Sequence, residues 1–195
     1  MMDGHAQSLP ALSPERALQE LQAGNRRYAL GAGIHPNQTL NRRDELLAGQ
    51  RPLAAVIGCS DSRVPPEILF DCGLGDLFVV RSAASVLDDA TVGSLQYAAE
   101  KLGVKLIVVL GHSDCSAVKA AVEGVQASGS LGALLKGLQP VVAEAKAAGG
   151  DLLDSAIIKN IQRTVTGLRA EAWAANLTVM GAHYSLKSGL VTLNP

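Results

Sequence analysis

Short apolar runs recur along the chain, and two of them end on residues with chemistry. Leu53-Ala54-Ala55-Val56-Ile57 contains nothing polar and stops at Gly58-Cys59, and Val104 to Leu110 carries one lysine and stops at Gly111-His112. Runs of this length without alternation predict strands buried on both faces, as in parallel sheets covered by helices. Asp76 to Arg81 predicts a further strand. Gly58 is expected to turn the backbone sharply into the loop that carries Cys59.

Between these runs the period lengthens to that of helices. Ser13-Pro14-Glu15 combines a cap, a proline at the first helical position and an acid in the first turn, and Leu18, Leu21 and Tyr28 then share a face as far as about Leu30, where Gly31-Ala32-Gly33 stops the helix. Such an arm docks on its own core or on another subunit, and the pattern does not choose. Further helices are expected over Asn41–Ala48, from near Ile68 after Pro65-Pro66-Glu67, over Thr91–Leu102, over Ser113–Gln126 and over Leu131–Ala148, where Pro140 should kink or break the turn. Asp154–Asn176 reads as one long helix burying Ile157, Ile158, Ile161, Val165, Leu168 and Ala172. Leu177–Tyr184 and Leu190–Leu193 read as a strand and hairpin, and residues 1–12 as a loose arm. The fold class that follows is α/β, a central mostly parallel β-sheet flanked by helices, with a C-terminal edge hairpin and an N-terminal helical arm. A chain of 195 residues suits one domain spanning 1–195, with the arm over 1–33.

Composition narrows the core and the partners. Hydrophobic residues make up 48% but aromatics only 3%, so the core must be built from Ala, Val, Leu and Ile. A net charge of −1 with no Lys/Arg run leaves no basic stripe for nucleic acid. No apolar run approaches the ~20 residues that span a bilayer. Met1-Met2-Asp3-Gly4-His5 lacks the basic and apolar regions of an export signal. Three cysteines, Cys59, Cys72 and Cys115, are too few for a disulfide scaffold, and reduced thiols point to the cytoplasm.

In parallel α/β sheets ligands bind beyond the carboxyl ends of the strands, and Cys59 and His112 stand at two such ends. Cys59, Asp61 and Arg63 alternate in Cys59-Ser60-Asp61-Ser62-Arg63, and His112-Ser113-Asp114-Cys115 supplies an imidazole and a second thiol. Two cysteines and a histidine on two loops are what a zinc site with an open fourth position requires. The other candidates read as structural: Cys72 as a small hydrophobe, His5 and His35 as solvated, His183 as a strand residue, Glu67 and Asp114 as surface or helix-end charges, and Asp76 as a turn residue. Arg81 either supports the site or pairs at a subunit contact.

The two clusters resemble the β-class carbonic anhydrases, whose signature is Cys-x-Asp-x-Arg followed some fifty residues later by His-x-x-Cys. The resemblance runs from about Gln50 to Val118, the zinc-site core, and includes Pro65-Pro66-Glu67, Gly73 to Arg81 and Tyr97-Ala98. It implies Zn²⁺ held by Cys59, His112 and Cys115, with Asp61 and Arg63 as a catalytic dyad, and reversible hydration of carbon dioxide to bicarbonate with a zinc-bound hydroxide as nucleophile. Gln50, Phe78, Ala83 and Tyr97 match positions at the substrate cleft, which in the family lies between two subunits, so a homodimer or a dimer-of-dimers tetramer is implied. Val56 stands where allosterically regulated relatives carry Trp, which implies a site that stays open, with Asp61 off the metal. The chain departs from the family at Ala83-Ala84-Ser85, where Ala-Gly-Asn is usual, at Ser116, where a side chain in place of Gly should crowd the helix start, and at Cys72, where Gln is common. The alternatives are hydrolysis of carbonyl sulfide or carbon disulfide on the same scaffold and a non-catalytic zinc-stabilised scaffold; a thiol redox protein is disfavoured, since no Cys-x-x-Cys pair occurs.

Overall fold

A computed structural model describes residues 12–194. The expected loose arm therefore lies outside the described residues except for Leu12, and so does His5. Five strands form one sheet: β1 (Ala54–Cys59), β2 (Leu77–Ser82), β3 (Leu106–His112), β4 (Thr178–Tyr184) and β5 (Val191–Leu193). Their order is β2-β1-β3-β4-β5, with β5 alone antiparallel to its neighbour. The tail thus forms the antiparallel edge expected of it. From β1 the chain crosses outward to β2 and then returns to the other side of β1 as β3, so the direction of winding reverses between β1 and β3. Crevices at such reversals are where α/β sheets bind ligands. Cys59 and His112 are the last residues of these two strands.

Alternation along the strands feeds two apolar layers. Ala55 and Ile57 of β1, with Ile107 and Val109 of β3, face the layer built with α4 (Asp89–Lys101), α5 (Ser116–Val122), α6 (Gly129–Ala148) and α7 (Leu152–Arg169). Ala54, Val56, Leu106, Val108 and Leu110 face the other layer, covered by α1 (Pro14–Ala29) and the short α3 (Pro66–Leu69). The small α2 (Leu40–Glu45) lies outside both.

Helix α1 begins as the sequence requires, with the Ser13 hydroxyl accepting from the Arg16 amide, and it docks on its own chain. Gly24 makes the docking possible, because a Cβ there would stand 1.8 Å from the Phe70 carbonyl oxygen. Next to it the buried Asn25 donates to the carbonyls of Leu69 and Gly189 and accepts from the Val191 amide. Asp71, also buried, accepts from Arg27 and from the amides of Ile34 and His35, which folds the segment after α1 back onto the end of α3.

Several sequence expectations are corrected. Gly58 does not turn the chain; β1 runs through it to Cys59. Helix α5 starts at Ser116 because Asp114 sits at φ 54° just before it, and it ends before Gly124 at φ 70°. Ser116, the first residue of α5, is exposed. Helix α6 is continuous across Pro140, which lies on its exposed side, where water can take the carbonyl that the missing N–H leaves free. The long final helix stops at Arg169, and Ala172 is exposed in a separate turn of 3₁₀ helix.

Candidate metal centre

The ligand-capable atoms of Cys59, His112 and Cys115 lie within 4.8 Å of one another, and all three residues are buried. The two sulfurs are 3.9 Å apart and both thiols are free. Two thiolates at ~2.3 Å from a tetrahedral zinc would stand about 3.8 Å apart, so the spacing fits that metal. His112 Nδ1 lies 3.0 Å from the Ser113 carbonyl oxygen, to which it can only donate. That contact fixes the tautomer and leaves Nε2 with a bare lone pair. Nε2 is buried and has no partner. A buried acceptor with nothing to accept from is costly, and a metal removes the cost.

The sulfur pair is electrostatically uneven. A hydrogen bond from Cys115 is the main cause that lowers Cys59; burial opposes it, while the Asp61 and Ala84 amides assist. Cys115 moves the other way, pushed up first by its bond to Cys59 and then by burial. The trio lines a cavity of about 10 Å³ with Ala84, Ser85, Gly111, Val118, Ile157 and Asn160, room for roughly one ion or water.

Asp61 follows on the loop after β1 and faces Arg63. Its Oδ1 accepts from the Arg63 amide and Nε, both at 2.9 Å, and its Oδ2 accepts from Nη2 at 2.7 Å. This two-pronged grip, the largest influence on the carboxyl, holds Asp61 at about 2. Arg63 also reaches the loop after β3, donating to the Asp114 carbonyl oxygen at 3.1 Å and to its carboxylate at 3.4 Å. Asp114 is therefore a tie between the two site loops, a role its sequence context did not announce. Arg81 donates to the carbonyls of Cys59 at 2.9 Å and Asp61 at 2.6 Å, so it supports the site from β2.

After β2 the chain makes a tight turn of 3₁₀ helix through Ala83, Ala84 and Ser85. Ala84 and Ser85 both have positive φ, 55° and 54°, where a glycine or asparagine would sit with less strain. The turn aims the Ala84 amide at Cys59 Sγ, 3.3 Å away. Asn160 of α7 donates to the Ala84 carbonyl at 2.6 Å. Nothing in the family signature singled Asn160 out. The available signal was its place in the apolar stripe of α7, beside Ile157, Ile161, Thr164 and Val165.

The remaining cleft candidates lie elsewhere in the same chain. Gln50 is exposed and precedes the start of β1, whereas Cys59 is its last residue. Phe78 pairs with Ala55 in the sheet, four positions short of the Cys59–Ser82 pair. Tyr97 is 53% exposed, past the middle of α4. At about 3.3 Å per strand residue the Phe78 backbone stands roughly 13 Å along the sheet from the Cys59–Ser82 pair. Only Ala83 stands at the site end. His183 is half-buried on β4 and outside the ligand group, and Cys72 donates weakly to the Phe70 carbonyl.

Comparison with known proteins agrees with this geometry. The family model for carbonic anhydrase matches residues 54–191. A carbonic anhydrase of Mycolicibacterium smegmatis is 41% identical over 95% of both chains. Carbonic anhydrase 2 of Mycobacterium tuberculosis is 38% identical over the same share of each. Among solved structures, a tetrameric β-carbonic anhydrase of the ascomycete Sordaria macrospora superimposes with a TM-score of 0.73 at 26% identity, over 91% of this chain and 96% of that one. The reversal between β1 and β3, the buried Cys-His-Cys trio beneath it and these likenesses place the chain in the β class of the carbonic anhydrase family.

Proposed function

We infer that this chain is a zinc-dependent carbonate dehydratase, which interconverts carbon dioxide and bicarbonate with release or uptake of a proton. The observation that carries the reading is the buried, unpartnered Nε2 of His112 set against two free thiols at the reversal of the sheet. Zinc bound there supplies the Lewis acidity that lets water ionise near neutral pH and attack carbon.

The chain's own groups do the rest. Cys59 and Cys115 offset the charge of the dication as thiolates, and His112 adds a neutral donor whose tautomer the Ser113 carbonyl holds. Asp61 accepts a hydrogen bond from the attacking oxygen and so turns a lone pair toward carbon; its Oδ2 carries only one of the three bonds from Arg63. Arg63 keeps Asp61 ionised and draws it away from the ligand position, so the site is of the open type. Lysine could not copy this two-pronged grip.

We assign Gln50, Phe78 and Tyr97 to the cleft of a partner copy, Gln50 as an amide donor and the rings as an apolar wall; on its own chain Phe78 sits four strand positions before the Cys59–Ser82 pair. Ala83 borders the cleft from its own chain. The working unit is then a homodimer, alone or paired into a tetramer. Among the described residues no helix is long and apolar enough to cross a membrane, and the need for free thiols suits the reducing cytoplasm.

Zinc content by mass spectrometry, read beside stopped-flow hydration of carbon dioxide, tests the reading. About one zinc per chain is expected in the wild type. Cys59→Ser should lose the metal, whereas Asp61→Ala should keep it and lose most turnover. Full turnover in Asp61→Ala would remove the dyad from the mechanism, and wild-type protein that hydrolyses carbonyl sulfide but leaves carbon dioxide untouched would overturn the substrate.

A further inference from the structure

We propose that Asn160 is a positioning residue of the metal site: from α7 it clamps the left-handed Ala84-Ser85 turn so that the Ala84 amide stays aimed at the sulfur of Cys59. The inference rests on the metal-site reading above. Four observations support it. The Asn160 amide donates to the Ala84 carbonyl at 2.6 Å, and the Ala84 N–H, at the other end of the same residue, donates to Cys59 Sγ at 3.3 Å. Ala84 and Ser85 hold φ of 55° and 54°, a conformation that costs a residue with a Cβ, so the turn needs an outside restraint to persist. Ala84 is buried at 3% exposure, and no water can substitute freely for a lost partner of its carbonyl. Asn160 itself is half-buried on α7 beside the core residues Ile157 and Ile161, which places its amide at the edge of the metal-site cavity.

The physical consequence is specific to sulfur. A thiolate that accepts a fixed N–H gives less charge to a bound metal and is held in one orientation for it, and groups in this position typically alter metal affinity by about 10–100-fold. Asn160 touches neither the metal ligands nor the Asp61–Arg63 pair through any hydrogen bond of the structure. It acts only through the turn.

The test uses the full-length chain and two readouts besides turnover: zinc affinity by competition against a chromophoric chelator, and the sulfur-to-metal charge-transfer band of the Co²⁺-substituted protein. Asn160→Ala should weaken zinc binding by about tenfold and shift that band. Ala84→Gly, which makes the left-handed turn free of strain, should remove most of the need for the clamp, so that the double variant with Asn160→Ala binds zinc within about threefold of Ala84→Gly alone. Asn160→Leu should behave as Asn160→Ala does, because it fills the space without the donor. Should Asn160→Ala bind zinc as the wild type does with an unmoved band, the clamp is refuted. A loss of affinity that persists in full in the Ala84→Gly background would equally refute it, since that is the pattern of a helix that merely packs worse. Wild-type protein that binds no zinc would overturn the metal reading itself, an outcome distinct from both.

Discussion

The most consequential single contact is the grip of Arg63 on Asp61, because it sets both the charge and the direction of the carboxylate. Asp61 is held below its ordinary value, so its charge is present above that value and is lost only as pH falls through about 2. Any fall in turnover between neutral pH and pH 5 therefore belongs to another group, and Asp61→Asn should lower the whole pH–rate profile without moving its acid limb. Arg63→Lys should retain zinc yet lower kcat by about tenfold or more, since one point charge cannot fix both oxygens; metal content and stopped-flow rates measure the two effects separately. Ala84→Gly presents a closer balance. Relief of the left-handed strain gains about 1 kcal/mol, while the lost methyl and the freer unfolded chain cost about as much together. Its stability in urea should stay within about 0.5 kcal/mol of the wild type, whereas an unstrained buried Ala→Gly change would cost clearly more. At this scale the sequence was informative wherever chemistry was spelled out by residue type, as at Cys59, Asp61, Arg63, His112 and Cys115. Asn160 and Asp114 were not legible, because their partners, the Ala84 carbonyl and the Arg63 guanidinium, are brought near only by the folded chain.

Elements were legible to the extent that a local rule decides them. The non-alternating runs gave β1 and β3, and the Ser13-Pro14 start gave α1, because burial on two faces and a satisfied N-terminus are local demands. Ends were misplaced where tertiary packing intervenes: α7 stops at Arg169, whose guanidinium turns to the Val179 carbonyl, and the apolar residues beyond it serve a separate turn. The docking of α1 was likewise undecided in sequence and rests on Asn25 and Asp71. Asn25→Ala leaves the Leu69 and Gly189 carbonyls and the Val191 amide without their partner, and should cost about 3 kcal/mol in denaturant unfolding. Burial acts to raise the Asp71 carboxyl, but the Arg27 side chain and the two amides outweigh it and leave the group lowered. Its contribution is thus present above the unfolded-state value of ~4 and fades as pH falls below it. Asp71→Asn should be less stable than the wild type at pH 7, and the gap should narrow on acidification toward pH 3; a gap independent of pH would show that charge is not what holds the segment.

For the molecule as a whole, the assignment of Gln50, Phe78 and Tyr97 to a partner's cleft makes the subunit an incomplete enzyme in the proposed reading. That yields a mixing experiment. Cys59→Ser and a Gln50→Ala/Tyr97→Ala double variant should each be nearly inactive alone. Refolded together, hybrids would join an intact trio on one chain to an intact wall on the other, and random pairing should recover about a quarter of wild-type activity. No recovery would place those side chains at their own chain's site after all.

The bonds of Asn25 to Gly189 and Val191 span 164 and 166 residues. During synthesis α1 leaves the ribosome well before residues 189 and 191, which take part in two of the three Asn25 bonds. Until then the apolar face carrying Ala17 and Leu21 has no finished seat. Closure of this layer therefore waits until residue 191 has emerged, and a chain that stalls before residue 189 keeps α1 open to capture by chaperones or by other nascent chains.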